Sequence, residues 1–256
     1  MRVLSLGWGV QSFTLAAMSA LGEIERADVA LHADTTHEQQ GTYKFAVKYT
    51  PWLEMRGVKI VTVTDTRPEL RIMDEWGGAF IPAYTRDETG KVWGTLRRQC
   101  TGGWKIAPMR RWLQANRNRQ PIEQWIGISL DEALRMKPSD VKYITNRWPL
   151  IERRMTRADC VRWLQSHGLD IPTKSACVFC PYHSKREWQD LKHHGGSDWQ
   201  KAIEVDNAIR KARPPYDLFI HPARIPLEKV DLRTQEEKGQ LRLEGWDAEC
   251  SGLCGV

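Results

Sequence analysis

No apolar run in this sequence approaches the roughly 20 residues needed to span a bilayer. The longest early stretch, Phe13 to Leu21, is interrupted by Thr14 and Ser19. Met1-Arg2 passes directly into a strand-like segment, without the apolar core or cleavage site of a secretory leader, so the expected compartment is the cytoplasm and no membrane partner is expected. Internal repeats and low-complexity linkers are missing, which excludes solenoids and tethered modules. Six cysteines in 256 residues are too few for a disulfide scaffold. Without a secretion signal they point instead to metal or redox chemistry. Two common phosphate fingerprints are also missing: no Gly-Lys-Ser/Thr follows the first glycine-containing turn, and no G-x-G-x-x-G occurs there.

What is present is an ordinary globular balance, 41% hydrophobic and 27% charged, enough for one large domain or a domain with an appendage. Formal net charge is +6. The excess is concentrated: between Arg97 and Arg162 fifteen lysines and arginines stand against six acids, a local +9. This segment is either a solvated basic face or a surface for an anionic ligand such as tRNA or DNA. Twelve tryptophans fill the core or line a stacking surface, and the sequence does not separate the two.

The first half alternates strand and helix signals. Arg2–Leu6, Val29–His32, Val58–Val63 and Glu123–Ile128 read as strands. Phe13–Leu21, Thr42–Gly57 (with Pro51 as a potential break) and Ile106–Asn116 read as helices. Such alternation predicts an α/β fold with a parallel sheet flanked by helices. Residues 85–98 read as a polar loop. Thr156–His167 is a helix with Thr156 as N-cap, Asp159 at the capping-box position and Gly168 as stop. Lys185–His193 and Ala202–Lys211 read as further helices, and the stretch from Arg224 onward as irregular.

Five segments carry chemistry. The strand–turn–helix Ser5-Leu6-Gly7-Trp8-Gly9-Val10-Gln11-Ser12 can hold a phosphate on the backbone N–H groups of a helix start. His32-Ala33-Asp34-Thr35-Thr36-His37-Glu38 stands at the end of the second strand; Asp34 is either a ribose or Mg²⁺ ligand or a helix cap, and Thr35 or Thr36 can contact a base. Arg97-Arg98-Gln99-Cys100, with Lys105 and Pro108 beyond, surrounds a helix entry. Cys177-Val178-Phe179-Cys180 presents two thiols for Zn²⁺ or an iron–sulfur cluster. Last come Cys250 and Cys254, on a glycine-bearing segment, as mobile nucleophiles or further ligands.

Taken in order, these segments resemble the PP-loop adenine-nucleotide α-hydrolase superfamily, in its phosphoadenosine-phosphosulfate (PAPS) reductase-like branch. Gly7-Trp8-Gly9-Val10-Gln11-Ser12 stands where that family has Ser-Gly-Gly-x-Asp-Ser, matching at Gly9 and Ser12. Trp8 takes the place of the first glycine and Gln11 that of the aspartate. Asp34-Thr35 resembles the Asp-Thr after the second strand. Gly127-x-Ser129-x-Asp131-Glu132-x-x-Arg135 resembles the family's Gly-x-Arg-x-x-Glu-Ser-x-x-Arg region. Cys100-x4-Lys105-x-x-Pro108 with Cys177-x-x-Cys180 resembles the cysteine pattern of iron–sulfur sulfate reductases and of the DNA-phosphorothioation subunit. Cys254-Gly255 resembles the catalytic Glu-Cys-Gly of the sulfate reductases.

The resemblance implies a Rossmann-like nucleotide-binding domain over residues 1–190 and a helical, irregular, cysteine-bearing extension over 191–256. It implies ATP or an adenylyl nucleotide, with Mg²⁺, held by Ser5, Gly7, Gly9, Gln11, Ser12, Asp34, Thr35, Gly127 and Arg135. A 4Fe–4S cluster, or alternatively Zn²⁺, would use Cys100, Cys177, Cys180 and Cys160, the last chosen because its helix leads toward Cys177. Arg98, Lys105, Cys250 and Cys254 would be catalytic. The implied reaction is adenylation of a target for sulfur insertion, as in nucleic-acid thiolation, or reduction of activated sulfate, with a sulfur or electron donor protein as partner. The rival readings are a zinc-containing nucleic-acid-binding module and a zinc-dependent PP-loop ligase.

Overall fold

The protein is described by a computed structural model over residues 1–65, 72, 78–233 and 237–238. The chain divides into two compact units, Met1–Pro68 with Gly102–Ala176 and Glu69–Thr101 with Cys177–Val256. The boundary expected at residue 190 does not coincide with this division. It falls inside a helix, and the chain leaves the first unit near residue 68 and re-enters it near 102, a path that composition does not reveal.

The first unit is a five-stranded, all-parallel sheet. Its strands are β1 (Arg2–Ser5), β2 (Val29–Asp34), β3 (Ile60–Thr64), β6 (Ile122–Trp125) and β7 (Ile144–Arg147), in the order β3-β2-β1-β6-β7. Side chains alternate across it as the strand period of two requires. Leu4, Ala30 and Trp125 face one side, where they meet α1 (Val10–Leu21), α2 (Gln40–Glu54) and α5 (Arg157–Ser166). Val3, Val29, Leu31, Ile122 and Ile144 face the other, where they meet Leu113 of α3 (Ala107–Asn116). Helix α1 is buried from Phe13 to Ala20, Thr14 and Ser19 included, which explains why its sequence is mainly apolar. Pro51 lies inside α2 without ending it. Helix α5 begins with the expected capping box: Thr156 Oγ1 accepts from the Asp159 amide at 3.2 Å, and the Asp159 carboxylate accepts from the Thr156 amide at 2.9 Å.

In the second unit the expected polar loop over 85–98 is instead an antiparallel hairpin, β4 (Tyr84–Arg86) and β5 (Val92–Thr95), extended by β8 (Asp217–Phe219) in the order β5-β4-β8. Polar residues hid it, because one face is wet and the strands are only three and four residues long. The hairpin turn is closed by Asp87, whose carboxylate accepts from the amides of Thr89 and Lys91 at 3.0 and 2.8 Å. Helices α6 (Lys185–His194) and α7 (Ser197–Ala208) complete this unit, with Trp188, Leu191, Trp199, Ala202, Val205 and Phe219 in its core. Asp206 organises that core. Its buried carboxylate pairs with Arg210 and accepts from the amides of Ile220 and Leu227 at 2.9 and 3.0 Å. Among the described residues no helix is long and apolar enough to cross a membrane.

Asp206→Ala removes one partner of a buried pair and leaves two buried amides without an acceptor, a loss on the order of 3–5 kcal/mol. Hydrogen exchange should show the Ile220 and Leu227 amides losing protection; unchanged protection contradicts the role given to Asp206.

Candidate functional site

In the first unit the chemistry-bearing segments collect at the carboxyl ends of the parallel strands. Strand β1 lies between β2 and β6, so the connection from β1 runs to one side and β6 lies on the other. Crevices at such reversals are where open α/β sheets bind ligands. The turn Gly7-Trp8-Gly9 leads from β1 into α1, and no side chain caps that helix. Its first-turn N–H groups and the positive end of its dipole are thus available to an anion. Trp8 has φ 57, the left-handed conformation that favours glycine, and its indole is buried against Phe13, His32 and Phe45. A tryptophan thus occupies a glycine-like backbone position by placing its ring in the core.

Ser12 closes the turn: its hydroxyl accepts from the Gly7 amide at 3.1 Å and donates to the Gly9 carbonyl at 3.3 Å. Gly127, just beyond β6, lies directly against the helix start. A Cβ there would stand 2.8 Å from the Ser12 nitrogen and 3.1 Å from the Gln11 carbonyl carbon. The Gln11 amide bridges the same two segments, donating to Glu132 at 3.1 Å and Ser129 at 3.4 Å. Arg135, expected to face phosphate directly, is paired with Glu132 at 2.7 Å. Ser5 accepts from Gln124 of β6 at 2.8 Å, so its hydroxyl is engaged between strands.

After β2, the Asp34 carboxylate accepts from the Thr36 amide at 2.7 Å and from the Tyr43 hydroxyl at 2.9 Å. Burial, with this carboxylate beside it, drives the Tyr43 phenol well above its ordinary pKa. Asp34 does not cap α2, whose N-cap is Gln39. Thr35 is fully buried, which corrects the expectation that it contacts a base. Burial lowers the His32 pKa, and its Nδ1 donates to the Leu6 carbonyl at 2.9 Å, tying the ends of β1 and β2 together.

Three residues not expected as site residues stand out here. Glu38, with its side chain 1% exposed, pairs with Lys105 at 2.9 Å and accepts from Ser175 at 3.1 Å. Asp65, just past β3, is likewise buried and meets Arg111 at 3.3 Å. Ser175 belongs to a segment that passes over both glycine positions: its Cβ lies 3.8 Å from where a Gly9 Cβ would stand, and Thr173 Oγ1 is 3.3 Å from that of Gly41. Glu38 could have been found as a carboxylate four residues past Asp34; Ser175 carries no motif.

The basic segment is less bare than its composition implies. Arg110 pairs with Asp140, Arg111 with Asp65, and Arg162 with Asp159. Arg147 meets Glu25, Glu123 and Glu152 between 2.8 and 3.3 Å. Arg147, Glu25 and Glu152 line a cavity of about 320 Å³ with Glu23, Ile24, Pro149 and Arg153.

The second unit holds Cys100, Cys177 and Cys180, all partly exposed and none in a disulfide. The Cys180 amide donates to the Cys177 carbonyl at 3.0 Å, a tight turn, and His183 Nε2 donates to the same carbonyl at 3.0 Å. Burial raises the Tyr182 phenol, the Arg98 guanidinium 5.3 Å from its ring lowers it, and both Cys180 and Cys100 raise it, so the two thiols share one neighbourhood. Among the described residues no three His, Cys, Asp or Glu side chains stand together closely enough to hold a metal ion. Cys160 belongs elsewhere. It is fully buried in the core of the first unit, and burial pushes its thiol up to about 12. A metal ligand must be a thiolate, so the structure gives Cys160 no support as a cluster ligand. Cys250 and Cys254 lie outside the described residues.

No family model matches the chain, and no curated protein matches it in sequence. Among solved structures it is similar to a phosphoadenylyl-sulfate (PAPS) reductase from Candida auris in a phosphate complex, with a TM-score of 0.47 and 12% identity, covering 69% of this chain and 80% of that one. At that level the likeness adds nothing to the topology already described.

Gly127→Ala forces a methyl into the backbone of the helix start and should cost about 1–3 kcal/mol by overpacking. Thermal unfolding checks it, and an unchanged melting temperature contradicts the close approach. Alkylation mapped by mass spectrometry near pH 8 should label Cys100, Cys177 and Cys180 in the folded, metal-free protein and leave Cys160 unmodified until unfolding; rapid labelling of Cys160 contradicts its burial.

Proposed function

We propose that the first unit binds ATP or another adenylyl nucleotide, and that the protein uses it in sulfur chemistry. The observation that carries this reading is the uncapped start of α1 at the strand-order reversal, approached by Gly127 and flanked by Asp34. The phosphates would lie on the amides of residues 9–12, where backbone donors and the dipole act together. Asp34 would take a ribose hydroxyl or Mg²⁺, already oriented by Thr36 and Tyr43. Lys105, held by the buried Glu38, is the cation best fixed to neutralise phosphate charge.

Two reactions fit such a nucleotide. In one, an oxygen of the acceptor attacks the α-phosphorus of ATP and pyrophosphate leaves; a sulfur nucleophile then displaces AMP from the adenylated acceptor. In the other, a thiolate attacks the sulfur of an activated sulfate, the nucleotide phosphate leaves, and the sulfonate remains on the cysteine. Either needs a thiolate or sulfide. Cys250 and Cys254 are the proposed carriers, and Arg98 a proposed cation beside the thiols of the second unit. An iron–sulfur cluster on Cys100, Cys177 and Cys180 is part of the proposal; the three side chains would have to draw together to hold it, its fourth position falls to another donor or to sulfide, and neither reaction passes through it. A nucleic acid is the proposed acceptor for the first reaction, with a sulfur or electron donor protein supplying the second substrate.

Calorimetry with ATP tests the nucleotide reading. Ser12→Ala opens the turn and Asp34→Ala deletes a charged contact worth roughly 1.5–3 kcal/mol, so each should weaken binding about 10- to 150-fold. Unchanged affinity in both variants contradicts it. For the thiols, protein purified without oxygen should show a broad absorption near ~400 nm that Cys177→Ser abolishes. A colourless, zinc-bearing protein rejects the cluster.

A further inference from the structure

Trp93 departs from the other aromatic residues. Trp8, Trp104, Trp125, Trp188 and Trp199 are all buried, whereas Trp93 is 58% exposed on β5 beside Val92. It sits where the register of the β4–β5 pair shifts, so the extra residue turns its ring outward. The ring is nevertheless held. The Trp93 side chain lies near enough to the Asp87 carboxylate to help lower its pKa, the Lys91 ammonium lies 4.5 Å from the ring centroid, and Tyr216 stands 5.6 Å away at 56°. A large aromatic fixed in place and exposed to water contributes little to the fold.

The charge around it is mainly positive. Residues 84–96 and 209–224, which supply this sheet and its flanks, contain six lysines and arginines and three acids. Two of those acids are committed internally: Asp87 to the hairpin turn, and Asp217 to Lys211 at 2.7 Å. Lys91 and Arg213 remain exposed beside the aromatic pair. The basic stretch between Arg97 and Arg162, by contrast, has many of its cations tied to carboxylates.

We infer that the β5-β4-β8 sheet is a surface for single-stranded nucleic acid, with Trp93 and Tyr216 stacking on unpaired bases and Lys91 and Arg213 meeting the phosphates between them. Rigid aromatics among unneutralised cations are the recurring means of holding a single strand without regard to sequence. A protein partner is disfavoured, because the large exposed hydrophobics on this sheet are confined to Val92 and Trp93, too few for the apolar centre of an interface. The inference names a different surface from the basic segment and stands apart from the nucleotide site, since its residues all belong to the second unit.

Fluorescence anisotropy with labelled oligo(rU) and oligo(dT), each about 20 nucleotides long and at about 50 mM salt, is the test. The protein should bind the single strand, and Trp93→Ala should weaken binding about 5- to 150-fold while Trp93→Tyr retains most of it. Lys91→Ala with Arg213→Ala should flatten the log–log salt dependence by ~1.4. A preference between the two oligomers identifies RNA or DNA as the natural strand, and either supports the inference. No binding by the unaltered protein, affinity of Trp93→Ala within about twofold, or polyglutamate competing as well as the oligonucleotide overturns it. Trp93→Ala should leave ATP calorimetry unchanged, which separates failure here from failure of the nucleotide reading.

Discussion

The placement of β1 between β2 and β6 is the constraint on which the first unit depends. Parallel pairing on both sides buries the centre of β1, Val3 and Leu4, and aims the chain beyond it, residues 6–9, into the gap where the connections diverge. Glycine at 127 then lets the chain leaving β6 touch the backbone of the α1 start. A helix start without a capping side chain has donors to spare, and here it is set between two strand ends. The turn's own bonds, Ser12 to Gly7 and Gly9 and Gln11 to Glu132, hold that backbone in place before any ligand arrives.

Around this crevice, charge is arranged as pairs. Glu38 and Asp65 are buried at the ends of β2 and β3, and each meets one cation from the segment 105–111. Leaving either carboxylate buried and unpaired would be costly. The pairs therefore fix Lys105 and Arg111 at the strand ends. They offset two charges of the local +9, so the segment around them stays basic.

The parallel α/β sheet was legible because strand and helix periods alternate cleanly over residues 2–64 and 107–126, and because Gly7, Gly9 and Asp34 fall at strand ends. The α5 capping box was legible from Thr156 and Asp159 alone. Other features were not. The β4–β5 hairpin reads as a polar loop because its outward residues are wet. The two-unit division requires contacts between segments far apart in sequence. Cys160 looks like a ligand by proximity in the chain, yet its helix turns it into the core between Leu150 and Leu164. Thr35 looks like a ligand by its neighbour Asp34, yet it is fully buried just past the end of β2. Glu38 and Ser175 gain meaning only from Lys105, which lies 67 residues from the first.

Amide chemical shifts report the central claim most directly. Addition of ATP to isotope-labelled protein should move the backbone amides of Gly7, Gly9, Gln11, Ser12 and Gly127, and adenosine, lacking phosphate, should leave the α1 amides where they are. Shifts confined to other parts of the chain, or identical responses to ATP and adenosine at α1, would contradict a phosphate site at that helix start.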